Sequence, residues 1–187
     1  MIQATELRPN KVIKLDNNIY IVTKVSFNQP KEARTEVIYR VRLQNIYTGA
    51  SLERSFKSSE KLEDVYLEVR KMQYLYNDGE NYTFMDNETF EQYELDKNLI
   101  GDAKNFLTEN MEVVICVYEG KAVTITLPTS VILTVTYTEP GVRGDTTGKV
   151  TKPATLETGH TLQVPLFVDI DTKIKVDTRT GEYISRA

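Results

Sequence analysis

The sequence predicts an all-β protein, because three features coincide. Short runs of alternating or β-branched residues fill most of its length, hairpin-turn residues separate them, and only one segment has helical spacing. The runs VIKL and IYIVTKV open the chain about a turn at Asp16–Asn18. YRVRLQNI and SLERSF follow across YTGA, where Gly49 is placed to take a positive φ in a tight turn. Tyr74–Tyr76 and Tyr82–Met85 flank NDGEN, whose Asp78-Gly79 is a strong hairpin dipeptide. VVICVY and AVTITL turn through EGK, and IKVD and EYIS turn through TRTG on Gly181. The helical exception is NLIGDAKNFL, in which Ile100, Ala103, Phe106 and Leu107 fall on one face.

At 187 residues the chain suits one large domain or two to three small ones. Composition shifts near residues 64–66 and at Leu127-Pro128-Thr129, so three units are expected over 1–64, 65–127 and 128–187. Each holds roughly 60 residues, near the lower limit for folding alone, and a lone short helix among hairpins fits small barrels.

Composition excludes more than it names. Forty per cent hydrophobic with 27% charged residues is an ordinary soluble balance, and no apolar run approaches the ~18 residues needed to span a bilayer. MIQATELRPNKVIKL lacks the apolar centre of a secretory signal, so a cytoplasmic protein is expected, with no membrane partner. Cys116 is the only cysteine and His160 the only histidine. Disulfide frameworks and cysteine metal sites are thereby excluded within one chain, and a zinc site or catalytic triad has little to draw on. Cys116 is expected to be a buried strand residue, and His160 a turn residue without a role. Asp169 and Asp171 share a turn and do not form an acid/base pair. No catalytic residue, metal or cofactor is expected.

The net charge of −4 hides a polarity along the chain. Residues 1–64 hold 11 Lys/Arg against 8 Asp/Glu, 65–127 hold 5 against 12, and 128–187 hold 7 against 7. A basic first third beside an acidic middle reads as an oriented adaptor, not a uniformly basic nucleic-acid coat.

The final third is more specific. GDTTGKVTKPATLETGHTLQVPLFVDIDTKIKVDTRTGEYISR, Gly144 to Arg186, resembles the third domain of elongation factor P, including the KPATL…G…VP signature. Where that signature ends in glycine this chain has Asp171, a change within a turn. YLYNDGENYTFMDNETFEQYEL, Tyr74 to Leu95, is similar to the start of the family's second domain. TGASLERSFKSSEKLEDV, Thr48 to Val65, is similar to the strand and linker that close its first. The resemblance implies a KOW/SH3-like barrel followed by two OB-folds, in an L-shaped, tRNA-like arrangement. It further implies a monomer that enters the 70S ribosome between the P and E sites at polyproline stalls. There it contacts P-site peptidyl-tRNA and ribosomal RNA, and stimulates peptide-bond formation by positioning, without supplying an acid or base. The alternative is an OB-fold RNA-binding or chaperone-like protein acting off the ribosome.

The resemblance breaks at one loop. Most of the family reads PGKG at the first-domain tip, whose lysine is modified; here the loop is FNQPKEARTEVIY, Phe27 to Tyr39. Counting back from Gly49 as in the family places Arg34 at the tip, and Lys31 is the alternative. Two arginine-tip branches compare with it: one whose arginine is rhamnosylated by a tip-modifying enzyme, and the elongation factor P-like paralogue. The longer loop and Pro30 match the paralogue, whereas Val135–Pro140 and Arg143–Val150 match the rhamnosylated branch. A guanidinium stays charged, bridges phosphates and stacks on bases, which suits the CCA end of a tRNA.

Lys24, Arg40, Arg42, Arg54 and Lys57 supply the basic surplus and are candidates for a phosphate-facing surface, or are solvated alternate strand positions. Gly144, Asp145, Thr146, Gly148, Lys152 and Pro153 form a small-residue loop that in the family faces the E-site codon region. Tyr183 and Arg186 match the family's GEYxSR, where an aromatic and a cation can contact RNA.

Overall fold

A computed structural model describes residues 1–141 and 150–187. Strands β1 (Ile2–Gln3), β2 (Val12–Leu15), β3 (Asn18–Phe27), β4 (Ile38–Asn45), β5 (Ser51–Lys57) and β6 (Lys61–Asp64) form a sheet in the order β1-β6-β2-β3-β4-β5. A second sheet, in the order β11-β10-β7-β8-β9, contains β7 (Glu68–Asn77), β8 (Asn81–Asp86), β9 (Gln92–Asp96), β10 (Glu112–Tyr118) and β11 (Lys121–Thr126). The third, in the order β14-β13-β12-β15-β16, contains β12 (Ser130–Thr138), β13 (Thr151–Leu156), β14 (Thr161–Pro165), β15 (Lys173–Asp177) and β16 (Tyr183–Arg186). The all-β expectation holds. The chain packs as two compact units, Met1–Val69 with Cys116–Thr124, and Arg70–Ile115 with Ile125–Ala187.

In the first unit, strand alternation sorts the side chains. Val41 and Leu43 of β4 point inward with Ile13, Val22, Leu7 and Phe56, while Arg40 and Arg42 point out. Burying each large apolar side chain contributes about 1.5–3 kcal/mol. β2 and β3 meet through Asp16 and Asn17 at φ 49° and 62°, a pair whose twist matches the flanking strands. Cys116 is a correction to the sequence reading, being half-buried. On β10 the inward phase belongs to Val113, Ile115 and Val117, so Cys116 falls on the other face.

In the second unit, Leu133, Val135, Leu156, Val164, Ile174 and Val176 make a core that also takes in Phe106. The helical segment is short. The Asp96 carboxylate accepts hydrogen bonds from the Asn98 and Leu99 amides, both at 2.9 Å, and so caps α1 (Lys97–Ile100). Gly101, at φ 54°, ends it and a 3₁₀ turn follows over Gly101–Asn105. Ile100, Phe106 and Leu107 are buried as their spacing predicts, and Ala103 is half-buried. Among the described residues no helix is long and apolar enough to cross a membrane.

One turn recurs three times with the same bonds. In Asn45–Ala50, Asp86–Glu91 and Asp177–Glu182, the first side chain accepts from the amides two and three residues on. The Thr hydroxyl at the fourth position accepts from the sixth amide, and the fifth amide donates to the first carbonyl. The fifth position needs a positive φ, and it is filled by Gly49 (74°), Phe90 (62°) and Gly181 (76°).

Asp171 also adopts a positive φ, 68°, in the exposed turn before β15. Replacing it with glycine removes a left-handed strain of about 1–2 kcal/mol, partly offset by the freer unfolded chain. Asp171→Gly should therefore raise stability by about 0.5–1 kcal/mol, seen as a higher urea midpoint.

Candidate nucleic-acid interface

The loop between β3 and β4, residues 28–37, leaves the sheet from a cross-strand aromatic pair. Phe27 and Tyr39 are register partners with ring centroids 5.4 Å apart. Its far side is anchored: the Ser58 amide donates to the Val37 carbonyl at 2.9 Å, and the Ser59 amide and hydroxyl donate to the Glu36 carboxylate. The Ser59 hydroxyl and amide hold the Glu36 carboxyl below the usual carboxylate range. That anchor is complete at neutral pH and is lost only as pH falls through the depressed value. Between the fixed ends, Thr35 closes a tight turn by donating to the Glu32 carbonyl at 3.1 Å, which makes Arg34 one of its two central residues. Lys31 stands just before that turn. Both side chains are exposed and, among the described residues, neither makes a hydrogen bond or ion pair.

Of the five cations proposed for a phosphate-facing surface, four share a sheet face. Arg40 and Arg42 alternate outward on β4; Lys24 pairs with Arg42, and Lys57 pairs with the outward position Ile38. Arg42 shares its charge with Glu53 at 3.0 Å. Arg54 does not join them. It pairs in register with inward-facing Val41 and reaches the other way to Asp16, 3.0 Å distant, because it lies one step out of phase on the edge strand.

Gly144, Asp145, Thr146 and Gly148 lie outside the described residues. Lys152 and Pro153 are on β13 and not in the loop where the sequence reading puts them. Lys152, Ala154 and Leu156 are in phase, so Lys152 points inward and is buried, and its ammonium donates to the Glu139 carbonyl at 2.6 Å. On β16 a register shift at Ile184 puts Tyr183 opposite Val176 and Arg186 opposite Ile174. Two residues three apart thereby share a face. Tyr183 packs on the core edge, and the Arg186 guanidinium sits 4.7 Å from the exposed Phe167 ring.

His160 has a part that the sequence reading missed. Its ring packs on Phe106, centroids 5.4 Å apart, and its Nε2 lies 3.1 Å from the Gly181 carbonyl. It joins the helical segment to two turns of the last sheet. Beside it, Thr158 donates to the Asn105 carbonyl at 2.6 Å. Among the described residues no group of three or more His, Cys, Asp or Glu could hold a metal ion.

The sheets and the hairpin tip define an all-β chain assembled from KOW-like and OB domains. Residues 3–62 match the elongation factor P KOW-like domain, 67–125 the elongation factor P OB domain, and 131–186 the elongation factor P C-terminal model. Elongation factor P of Caldanaerobacter subterraneus subsp. tengcongensis is 48% identical, with 100% of both chains covered. That of Moorella thermoacetica is 46% identical, again with 100% of both covered. Among solved structures, eukaryotic translation initiation factor 5A from Methanococcus jannaschii is similar over 67% of this chain and 91% of that one, with 23% identity and a TM-score of 0.44. The chain belongs to the elongation factor P family of translation elongation factors.

Proposed function

We propose that this cytoplasmic, monomeric factor binds the 70S ribosome between the P and E sites and relieves polyproline stalls by positioning peptidyl-tRNA. Its domains are 1–64, 65–127 and 128–187. The protein itself is not an enzyme: it holds the reacting ends in place, which lowers the entropic part of the barrier, while the ribosome does the chemistry. Arg34 addresses the CCA end, with Lys31 the alternative and either one a target for a tip-modifying enzyme. Lys24, Arg40, Arg42 and Lys57 face RNA phosphates. Gly144, Asp145, Thr146 and Gly148, flanked by Lys152 and Pro153, approach the E-site codon region, and Tyr183 and Arg186 add an RNA contact.

The observation that carries this reading is Arg34: a permanent cation in the middle of a tight turn, exposed, on a loop anchored at its base. A loop held at its ends with a free cation at its tip is built to present that cation. Co-sedimentation with purified 70S ribosomes carrying P-site peptidyl-tRNA tests it. The expected result is saturable binding that weakens steeply with salt, as phosphate contacts require. Failure to bind at low salt would contradict it.

A further inference from the structure

The threefold turn isolates one residue that the turn itself does not explain. At its fifth position Gly49 and Gly181 take the positive φ, while the middle copy puts Phe90 there at φ 62°. Glycine also relieves crowding at Gly181, where a Cβ would stand 3.2 Å from His160 Nε2. A bulky residue at positive φ is an outlier, and such strain persists where it serves function. Phe90 gains little burial from the fold in return. The residue is 70% exposed. An aromatic held both strained and wet is placed for something outside the chain.

Its surroundings select the partner. Residues 86–94, DNETFEQYE, hold four acids and no base. Asp86 is engaged by Arg70, with Oδ2 3.1 Å from Nη1, and Glu91 accepts from the Tyr93 hydroxyl at 3.1 Å. Glu88, Glu91 and Glu94 are exposed within the same nine residues. Lys71 is the nearby counter-charge, its carbonyl accepting from the Asn87 amide. An exposed aromatic in so acidic a segment disfavours phosphate and complements a Lys/Arg-rich protein surface.

We infer that Phe90 is a docking residue for a basic protein surface of the ribosome, a contact to protein and not to RNA. The inference rests on the ribosome reading above. Three arms test it on the full chain. In the first, wild type is sedimented with purified 70S ribosomes; failure to bind overturns the ribosome reading, and this inference with it. In the second, Phe90→Gly should keep or raise the urea midpoint, as the sibling turns imply, yet bind at least tenfold more weakly, with Phe90→Tyr restoring affinity. Wild-type affinity in Phe90→Gly, or a lowered urea midpoint, overturns the docking residue while leaving the ribosome reading intact. In the third, a photoreactive phenylalanine at position 90 should crosslink to a Lys/Arg-rich ribosomal protein. A crosslink to RNA, or none from bound factor, overturns it.

Discussion

Arg34→Ala should fold with the wild-type urea midpoint and lose about 10²-fold of its stimulation of proline–proline bond formation, the scale expected when a positioning contact at the reacting centre is removed. Both halves follow from the geometry. Arg34 makes no hydrogen bond or ion pair among the described residues, so truncation leaves no orphaned group. The turn survives because Thr35 bonds to the Glu32 carbonyl through the backbone. Lys31→Ala serves as the internal comparison: it removes a like charge from the same loop, one step before the turn. If Arg34 is the tip, Lys31→Ala keeps most of the activity; the reverse ranking moves the tip to Lys31. Arg34→Lys reports on chemistry as well as charge, since an ammonium cannot bridge two phosphates in a planar fork or stack on a base.

Asp86→Ala should cost about 2–3 kcal/mol of stability, because it removes a buried acceptor of two backbone amides and of the Arg70 guanidinium, and leaves those amides unsatisfied. Asp86 Oδ1 accepts from the Glu88 amide at 2.8 Å and the Thr89 amide at 3.2 Å, and Oδ2 lies 3.1 Å from Arg70 Nη1. Asp86→Asn should cost only about 1 kcal/mol, since Asn45 performs the same capping in the first turn. The Glu88 amide, helped by Thr89 and Arg70, holds the Asp86 carboxyl below its usual range against the effect of desolvation. A depressed carboxyl stabilises fully above its unfolded value and loses that contribution as pH falls through the folded one. Urea midpoints measured from neutral to acidic pH should therefore fall less steeply for Asp86→Asn than for wild type.

Local features were the legible ones. Gly49, Gly79 and Gly181 stand at turns read from hairpin dipeptides and spacing, with φ of 74°, 91° and 76°. The third copy of the repeated turn stayed hidden because Phe90 occupies the glycine position, and turn rules search for glycine. Aligning NIYTGA, DNETFE and DTRTGE on the first side chain and the threonine exposes it. Lys152 and Cys116 were misplaced where identity outweighed phase: Lys152 alternates with Ala154 and Leu156, and Cys116 is out of phase with Ile115 and Val117. Arg54 was grouped with Arg40 and Arg42 for its charge, although its register partner is Val41. His160 had no local signal at all, since its contact with Gly181 joins turns twenty-one residues apart. Arg34 is a different case. Composition cannot prefer it over Lys31 in a loop that also holds Glu32 and Glu36; its selection came from counting against the family tip.

The central claim is tested most directly by translating a triple-proline reporter in a purified system lacking any factor of this family, with and without the protein. The account predicts that added protein raises full-length product from the triple-proline template while a proline-free control is unchanged. Equal stalling with and without bound protein would contradict it.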